Sequence, residues 1–174
     1  MNVMLQDAVI RSLVESDAAA IAALYPRAFP DEDLSGLVAA LLAEPKAASL
    51  VAQADGEIVG HVAFSDCEVK GADAVVALLG PLAVAPARQR GGIGSKLVRE
   101  GLARAAERGA AGAVVLGDPA YYERFGFESG HEVDAPYALP DAWAEAWRLI
   151  TFRDGELSGR LTPPAAWARE ALWR

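Results

Sequence analysis

Apolar residues recur along this chain at two spacings, and each change of spacing marks a boundary between elements. Ala8 to Val14 reads as a first strand. Ile21, Ala22, Leu24 and Tyr25 then lie near one face of a helix that Ser16 or Asp17 can cap and that runs to about Ala28. Pro30-Asp31-Glu32-Asp33 starts a second helix, with Leu34, Leu37, Val38, Leu41 and Leu42 at spacings of three and four. Ser49–Gln53 and Glu57–Phe64 are apolar or alternating runs joined by Ala54-Asp55-Gly56, and an Asp-Gly pair suits a tight hairpin turn. Ala74–Val84, rich in Val and Leu, predicts a strand buried on both faces, and to this point the sheet reads as antiparallel. From Gly91 the period becomes helical through Ile93, Leu97, Val98, Leu102, Ala105 and Ala106, until Arg108-Gly109 stops it. Ala113–Leu116 is a short buried strand, Asp118-Pro119 a capped helix start, and Phe127 onward and Ala144–Phe152 the last strands. Beyond Arg153 the Gly and Pro content gives no clear element.

Composition narrows the class. The 174 residues are 53% hydrophobic and 23% charged, as in a folded domain. A chain of this length buries about 70% of the surface it exposes when unfolded, so it needs neither disulfides nor a structural metal. Its expected organisation is one domain over 1–174, with a core at about 8–152 and a variable tail at about 153–174. The lone cysteine, Cys67, and two histidines make a poor zinc set and point to the reducing cytoplasm. The start Met1-Asn2-Val3-Met4-Leu5-Gln6-Asp7 lacks the basic residues and long apolar stretch of a secretory leader. The longest apolar run, Ala74–Ala87, is too short to span a membrane and is broken by Gly80, Pro81 and Pro86. A net charge of -8 argues against nucleic acid, because phosphate backbones demand a basic stripe. A local basic cluster still suits one small anion.

Such a cluster lies between the buried strand and the long helix, at Pro86-Ala87-Arg88-Gln89-Arg90-Gly91-Gly92-Ile93-Gly94-Ser95. It is not a Walker loop, because Lys96 follows Ser95 rather than preceding it, and Leu97 stands where a Rossmann fingerprint needs its third glycine. Glycines let successive N–H groups turn toward one point, a helix start adds a positive dipole end, and Arg88 and Arg90 add charge. Together these features make a receptor for a pyrophosphate.

Gln89-x-x-Gly92-x-Gly94, following Leu79-Gly80-Pro81-Leu82-Ala83-Val84, resembles the acetyl-coenzyme A signature of the GNAT superfamily of N-acetyltransferases. Downstream, Ala120-Tyr121-Tyr122-Glu123-Arg124-Phe125-Gly126-Phe127 is similar to that family's Tyr-x-x-x-Gly-Phe segment. Leu116-Gly117-Asp118-Pro119-Ala120-Tyr121-Tyr122 resembles the YhbS-type bacterial branch, although many other members carry Asn near Asp118. The resemblance covers about residues 8–152 and is specific from 79 to 127. It implies an α/β (α+β) fold: a mixed, mostly antiparallel central sheet of six or seven strands flanked by about four helices and splayed in the middle.

The same resemblance implies binding of acetyl-CoA and transfer of its acetyl group to a primary amine in a ternary complex, without a metal. It assigns Leu82, Ala83 and Val84 to the pantetheine arm and the backbone from Arg90 through Gly91, Gly92, Ile93 and Gly94 to Ser95 to the pyrophosphate. Gln89 shapes the loop, Arg88 or Arg90 lies in reach of the 3′-phosphate, and Asp118 joins the cofactor set. Pro81 suits the splay because it has no N–H to lose. Tyr122 matches the tyrosine that often sits beside the sulfur, where a phenol can protonate the leaving thiolate. Tyr121 is its competitor, and the N–H near Leu82 is placed to polarise the thioester carbonyl.

A general base is not legible. Val75–Leu79 has no titratable side chain, which leaves Asp31, Glu32, Asp33, Asp66 and Glu68, each of which better suits a helix end or solvated surface than a base, and His61, a lone strand histidine that better suits a packed or surface position. Cys67 reads as a small hydrophobe or loop thiol. Trp143 and Trp147 suit either the acceptor cleft or, with more weight, core packing or a homodimer contact, while Trp167 and Trp173 dock the tail. A non-catalytic acyl-CoA-binding or regulatory module on the same fold is the alternative, and transfer of a longer acyl chain a third reading.

Overall fold

The structure, a computed structural model, describes residues 7–174, so the segment Met1–Gln6 read above for a leader lies outside the described residues. Strand β1 (Val9–Ser12) passes through a 3₁₀ turn at Glu15–Asp17 into α1 (Ala18–Ala28). Asp17 was expected among the caps of α1, but its side chain turns back toward β1. It accepts the Val14 N–H at 2.8 Å and two nitrogens of Arg11 at 2.7 and 2.9 Å, and the guanidinium holds its carboxyl down at about 2. Helix α2 (Ser35–Leu42) begins after the acidic run, where Asp33 accepts both the backbone N–H and the hydroxyl of Ser35. The spacing of apolar residues in both helices is realised in Ile21, Leu24, Tyr25, Leu37, Val38 and Leu41, all buried.

An antiparallel meander follows: β2 (Ala47–Ala54), β3 (Glu57–Val69) and β4 (Val75–Val84). Its first turn places Asp55 at φ 52° and Gly56 at φ 77°, the left-handed pair that matches strand twist. Then come α3 (Ile93–Glu107), β5 (Gly112–Leu116), α4 (Pro119–Glu123), β6 (Glu132–Asp134), β7 (Trp147–Thr151) and β8 (Ser158–Thr162). The sheet runs β1-β2-β3-β4-β5-β7, with β8 pairing β3 and β6; β4 with β5 and β6 with β8 are the parallel pairs. Among the described residues, mostly antiparallel pairing and four α-helices agree with expectation, but the strands number eight rather than six or seven.

The element missing from the sequence reading is β8. Only Leu161 of Ser158–Thr162 is buried, and Gly159 sits at φ 129°, so no period of two is visible. The strand forms because Leu161 and Thr162 pair with Val69 and Glu68 at the far end of β3. The stretch Ala144–Ala146, expected as strand, is a 3₁₀ turn leading into β7.

Alternation along β3 assigns its neighbours. A methyl group on Gly60 would meet Leu97 and Ile93, and Phe64 lies against Gly101, so these residues face α3. His61 meets Tyr25, Ala63 joins Leu37, Leu41 and Ala166, and Ser65 meets Trp167, so the other face is covered by α1, α2 and the C-terminal segment. Among the described residues no helix is long and apolar enough to cross a membrane.

Candidate active site

The site begins with a defect in the sheet. Phe64 pairs with Leu79 and Val62 with Leu82, so Ala63 alone opposes Gly80 and Pro81, the two-for-one arrangement of a β-bulge. On the opposite side of β4 the parallel ladder with β5 stops at Leu79–Val115. Beyond that rung the two strands part, at the place where Pro81 has no N–H to donate.

Backbone direction past the bulge follows from one bond. Ala85 N–H donates to Val59 O at 2.8 Å, and alternate residues of a strand send their polar groups to opposite neighbours. Ala83 therefore turns its backbone toward β3, as its pairing with His61 requires, and its side chain is buried. Leu82 and Val84 turn theirs toward the gap left by β5. The pantetheine assignment of Leu82 and Val84 thus has backbone facing the gap to act through, although the Val84 carbonyl already accepts from the Gln89 side chain, whereas Ala83, placed in the same set by resemblance, has its polar groups committed to the sheet.

A few residues on, the chain turns into the start of α3 with a run of unpaired N–H groups. A 3₁₀ turn at Pro86–Arg88 leads to Gln89, whose side-chain amide donates to Val84 O at 3.1 Å and ties the loop to the end of β4. Arg90 sits at φ 68° and Gly92 at φ 86°, and Gly92 is the cap residue of α3. The first bond into the helix is Lys96 N–H to Gly92 O at 3.0 Å. The N–H groups from Arg90 to Ser95 thus have no acceptor among the described residues. Successive unpaired N–H groups at a helix start are the physical content of a phosphate site.

A cavity of about 460 Å³ lies over this loop, lined by Gln89, Arg90, Gly92, Ile93, Gly94 and Ser95, by Leu82 and Val84, and by Arg88, Arg124, Tyr121 and the α1 end, Ala28 and Phe29. Gly91 contributes backbone but does not line it. Arg88 is held by Asp55 at 2.8 Å, a partner across the hairpin turn. Arg124, not singled out in the sequence, lies over the Tyr121 ring at 4.6 Å to its centroid. The signal that would have found Arg124 is its spacing of three from Tyr121, which sets both on one side of the short α4.

A second cavity, about 510 Å³, occupies the splay itself. Its floor is Leu78–Leu82 of β4 and Val115–Asp118 at the end of β5, and its walls are Tyr121, Tyr122, the α1–α2 connection at Phe29, Glu32 and Leu34, Leu37 of α2, and Trp167, Leu172 and Trp173. Phe29, Leu82 and Tyr121 line both cavities, so the two adjoin. Asp118 is here too, but its side chain accepts the Ala120 N–H at 3.0 Å and caps α4, which is the structural part of the role assigned to it.

The adjacent tyrosines point to different places. A methyl group on Gly94 would stand 2.6 Å from the Tyr121 hydroxyl, so Tyr121 faces the phosphate loop. The Tyr122 ring packs over Gly117 at the end of β5 and edge-on to Phe127. Neither hydroxyl bonds to a described residue, and among the described residues no fully buried side-chain oxygen lacks a partner, so the Tyr122 hydroxyl keeps some accessible surface in a residue that lines the cavity and is only 9% exposed. Burial, with Tyr121 and Asp118 adding to it, pushes this phenol above its ordinary value.

Geometry also sorts the candidate bases. His61 is wholly buried, its Nδ1 2.7 Å from the Tyr25 hydroxyl and its Nε2 2.9 Å from that of Ser49, and burial lowers it to about 4. It is a neutral link between α1 and β2, and it lines neither cavity. Asp33 is engaged with Ser35, and Asp66 pairs with Arg108 at 3.2 Å. Of the carboxylates weighed from sequence, Glu32 lines the splay cavity. Cys67 is buried, which pushes its thiol up to about 12. Trp147 is in the core beside Trp173, in line with the reading given more weight, while Trp167 and Trp173, expected to dock the tail, also line the splay cavity.

Residues 18–127 match the family model described as Acetyltransferase (GNAT) family. The chain is 37% identical over 153 residues to the uncharacterised N-acetyltransferase YhbS of Escherichia coli (strain K12), covering 87% of this chain and 91% of that protein. It is 34% identical over 157 residues to the uncharacterised N-acetyltransferase YjhQ of the same strain, covering 84% and 87%. The crystal structure of Escherichia coli YhbS in complex with CoA superposes with a TM-score of 0.84 at 32% identity, covering 97% of this chain and 96% of that one. A GNAT family acetyltransferase from Brucella melitensis in complex with acetyl-CoA gives a TM-score of 0.76 at 37% identity, covering 92% and 97%.

Proposed function

The chain belongs to the acetyltransferase (GNAT) family, and on that premise we propose that it moves the acetyl group of acetyl-CoA to a primary amine by direct attack in a ternary complex. The observation that carries this reading is the edge of β4 from Leu82 to Val84 left unpaired by β5, set between the unpaired N–H groups of Arg90–Ser95 and the cavity that Tyr122 lines. An extended donor fits that path, with its pyrophosphate on the α3 start and its amides on β4 as an added strand. Bound there, acetyl-CoA supplies a thioester carbonyl as electrophile.

The residues divide the remaining work. The Arg90–Ser95 N–H groups, the helix dipole and the cations Arg90 and Arg124 hold the phosphates. Leu82 N–H faces the splay and stabilises negative charge on the carbonyl oxygen as the amine attacks. Tyr122 keeps its proton through neutral pH and delivers it to the departing sulfur. The incoming ammonium must first lose a proton, and Glu32 at the splay cavity accepts it directly or through water. The whole chain, 1–174, is read as one catalytic unit whose tail walls the acceptor side.

Calorimetric titration with acetyl-CoA, with free CoA beside it, tests the donor assignment. The expected result is one-to-one binding that Gly92→Glu abolishes, because a carboxylate there repels the phosphates. Absence of binding to the wild type, or equal binding to the variant, would overturn the assignment. One-to-one binding without thiol release for any amine would favour a non-catalytic acyl-CoA module, the reading that the lack of a carboxylate in Val75–Leu79 supports.

A further inference from the structure

Resting on that reading, we propose that the acceptor is a primary amine carried on a flat apolar body, such as an aryl-ethylamine, and that Trp167 is the residue that selects it. The splay cavity holds more than the acetyl group needs, and what remains is bounded by Leu34, Leu37, Trp167, Leu172 and Trp173. No Lys or Arg lines it, and of its two carboxylates Asp118 is engaged in capping α4, which leaves Glu32 for an ammonium. One cation can therefore be met at the wall carrying Glu32. A polyamine would have to set its further charges against leucine and tryptophan, where an unpaired charge is heavily disfavoured.

Trp167 is held as a fixed wall. Its indole N–H donates to the Ser65 hydroxyl at 3.2 Å, and its ring packs on Trp173 at 5.8 Å between centroids. Trp173 is fixed in turn by its own indole N–H on Trp167 O at 3.0 Å and by an edge contact with Trp147. A methyl group placed on Gly80 would touch the six-membered ring of Trp167 at 3.9 Å, so the indole stands over the bulge, two residues from Leu82. A rigid aromatic face beside the reacting carbonyl orients a flat substrate better than a flexible chain.

The test compares 2-phenylethylamine and tryptamine with spermidine and lysine as acceptors, reading free thiol at saturating acetyl-CoA. In parallel, each amine is titrated calorimetrically into protein saturated with free CoA, which measures binding without turnover. The aromatic amines should exceed spermidine in kcat/KM by about 100-fold, and Trp167→Ala should weaken their binding about tenfold while the affinity for acetyl-CoA stays within about twofold. Trp167→Phe, which keeps an aromatic wall, should recover most of the loss, and a thermal melt shows that the tail remains docked in it. Leu34→Glu, which adds a second carboxylate, should shift preference toward spermidine. Preference of the wild type for spermidine or lysine, or amine binding indifferent to Trp167→Ala and Leu34→Glu, would overturn the proposal while leaving the acetyltransferase reading intact. So would tighter binding of a longer acyl-CoA that depends on Trp167, because the cavity would then belong to the donor chain. If acetyl-CoA itself fails to bind, the underlying reading fails and this proposal with it.

Discussion

Replacing Tyr122 with Phe removes one oxygen and leaves the ring in place. The ring supplies the packing, against Gly117, Phe125 and Phe127, and the hydroxyl bonds to no described residue. No donor or acceptor is orphaned by its loss, so stability should change by less than about 0.5 kcal/mol, or a melting shift of about 2 °C at most. Binding of acetyl-CoA should change little, since none of the contacts proposed for its phosphates and pantetheine uses the Tyr122 hydroxyl. The effect falls on the departing sulfur, where loss of a positioned acid costs about 100-fold or more in kcat, equivalent to a barrier about 3 kcal/mol higher. Because burial raises this phenol, its proton stays on past the ordinary tyrosine range, and the fall of kcat on the alkaline side should not be Tyr122 deprotonation. Thiol release under saturating conditions gives kcat, and calorimetry gives the donor affinity separately. The reasoning is refuted if Tyr122→Phe turns over at the wild-type rate, or if Tyr121→Phe produces the loss instead. Tyr121 faces Gly94 and the phosphate loop, so its variant should move donor affinity rather than kcat.

Two further outcomes concern the frame around the site. A Cβ on Gly101 would fall inside the Phe64 ring, so Gly101→Ala must displace either α3 or β3, at a cost of about 1–3 kcal/mol and a melting point lower by several degrees; an unchanged melting curve would show that this contact is looser than described. Acid should weaken the fold through His61. Its folded value near 4 lies below the ordinary 6.5, so the unfolded chain binds the extra proton first. Stability present above pH 6.5 is then lost as pH falls toward 4, by about 3 kcal/mol over the window, and Asp17, held at about 2, adds a further loss below its ordinary carboxylate range. Urea unfolding between pH 7 and pH 4 reads the slope, and a His61 imidazole resonance titrating near 6.5 in the folded protein would contradict it.

What could be read from sequence divides by the distance over which each feature is determined. The shape of the Arg88–Ser95 loop was legible because its parts are neighbours: Gln89 returns to Val84, Gly92 takes the left-handed cap, and the N–H groups from Arg90 to Ser95 lie on one turn of chain. The helices and the meander were legible for the same reason, since a period of 3.6 or 2 is written in consecutive residues. The sidedness that turns the Ala83 backbone away from Leu82 and Val84 was not legible, because it depends on which neighbour pairs, and the Ala85–Val59 bond fixes that. The acceptor wall was least legible of all. Trp167 and Trp173 lie in a stretch with neither period, and β8 before them has a single buried apolar residue; what places them is the pairing of Leu161 with Val69 and the bond to Ser65, both made across more than half the chain. On the proposed reading, the donor half of the site is built from local backbone and the acceptor half from long-range docking of a tail. That separation lets one fold keep its donor and change its amine, and it makes Trp167 rather than the glycine loop the residue at which specificity should be sought.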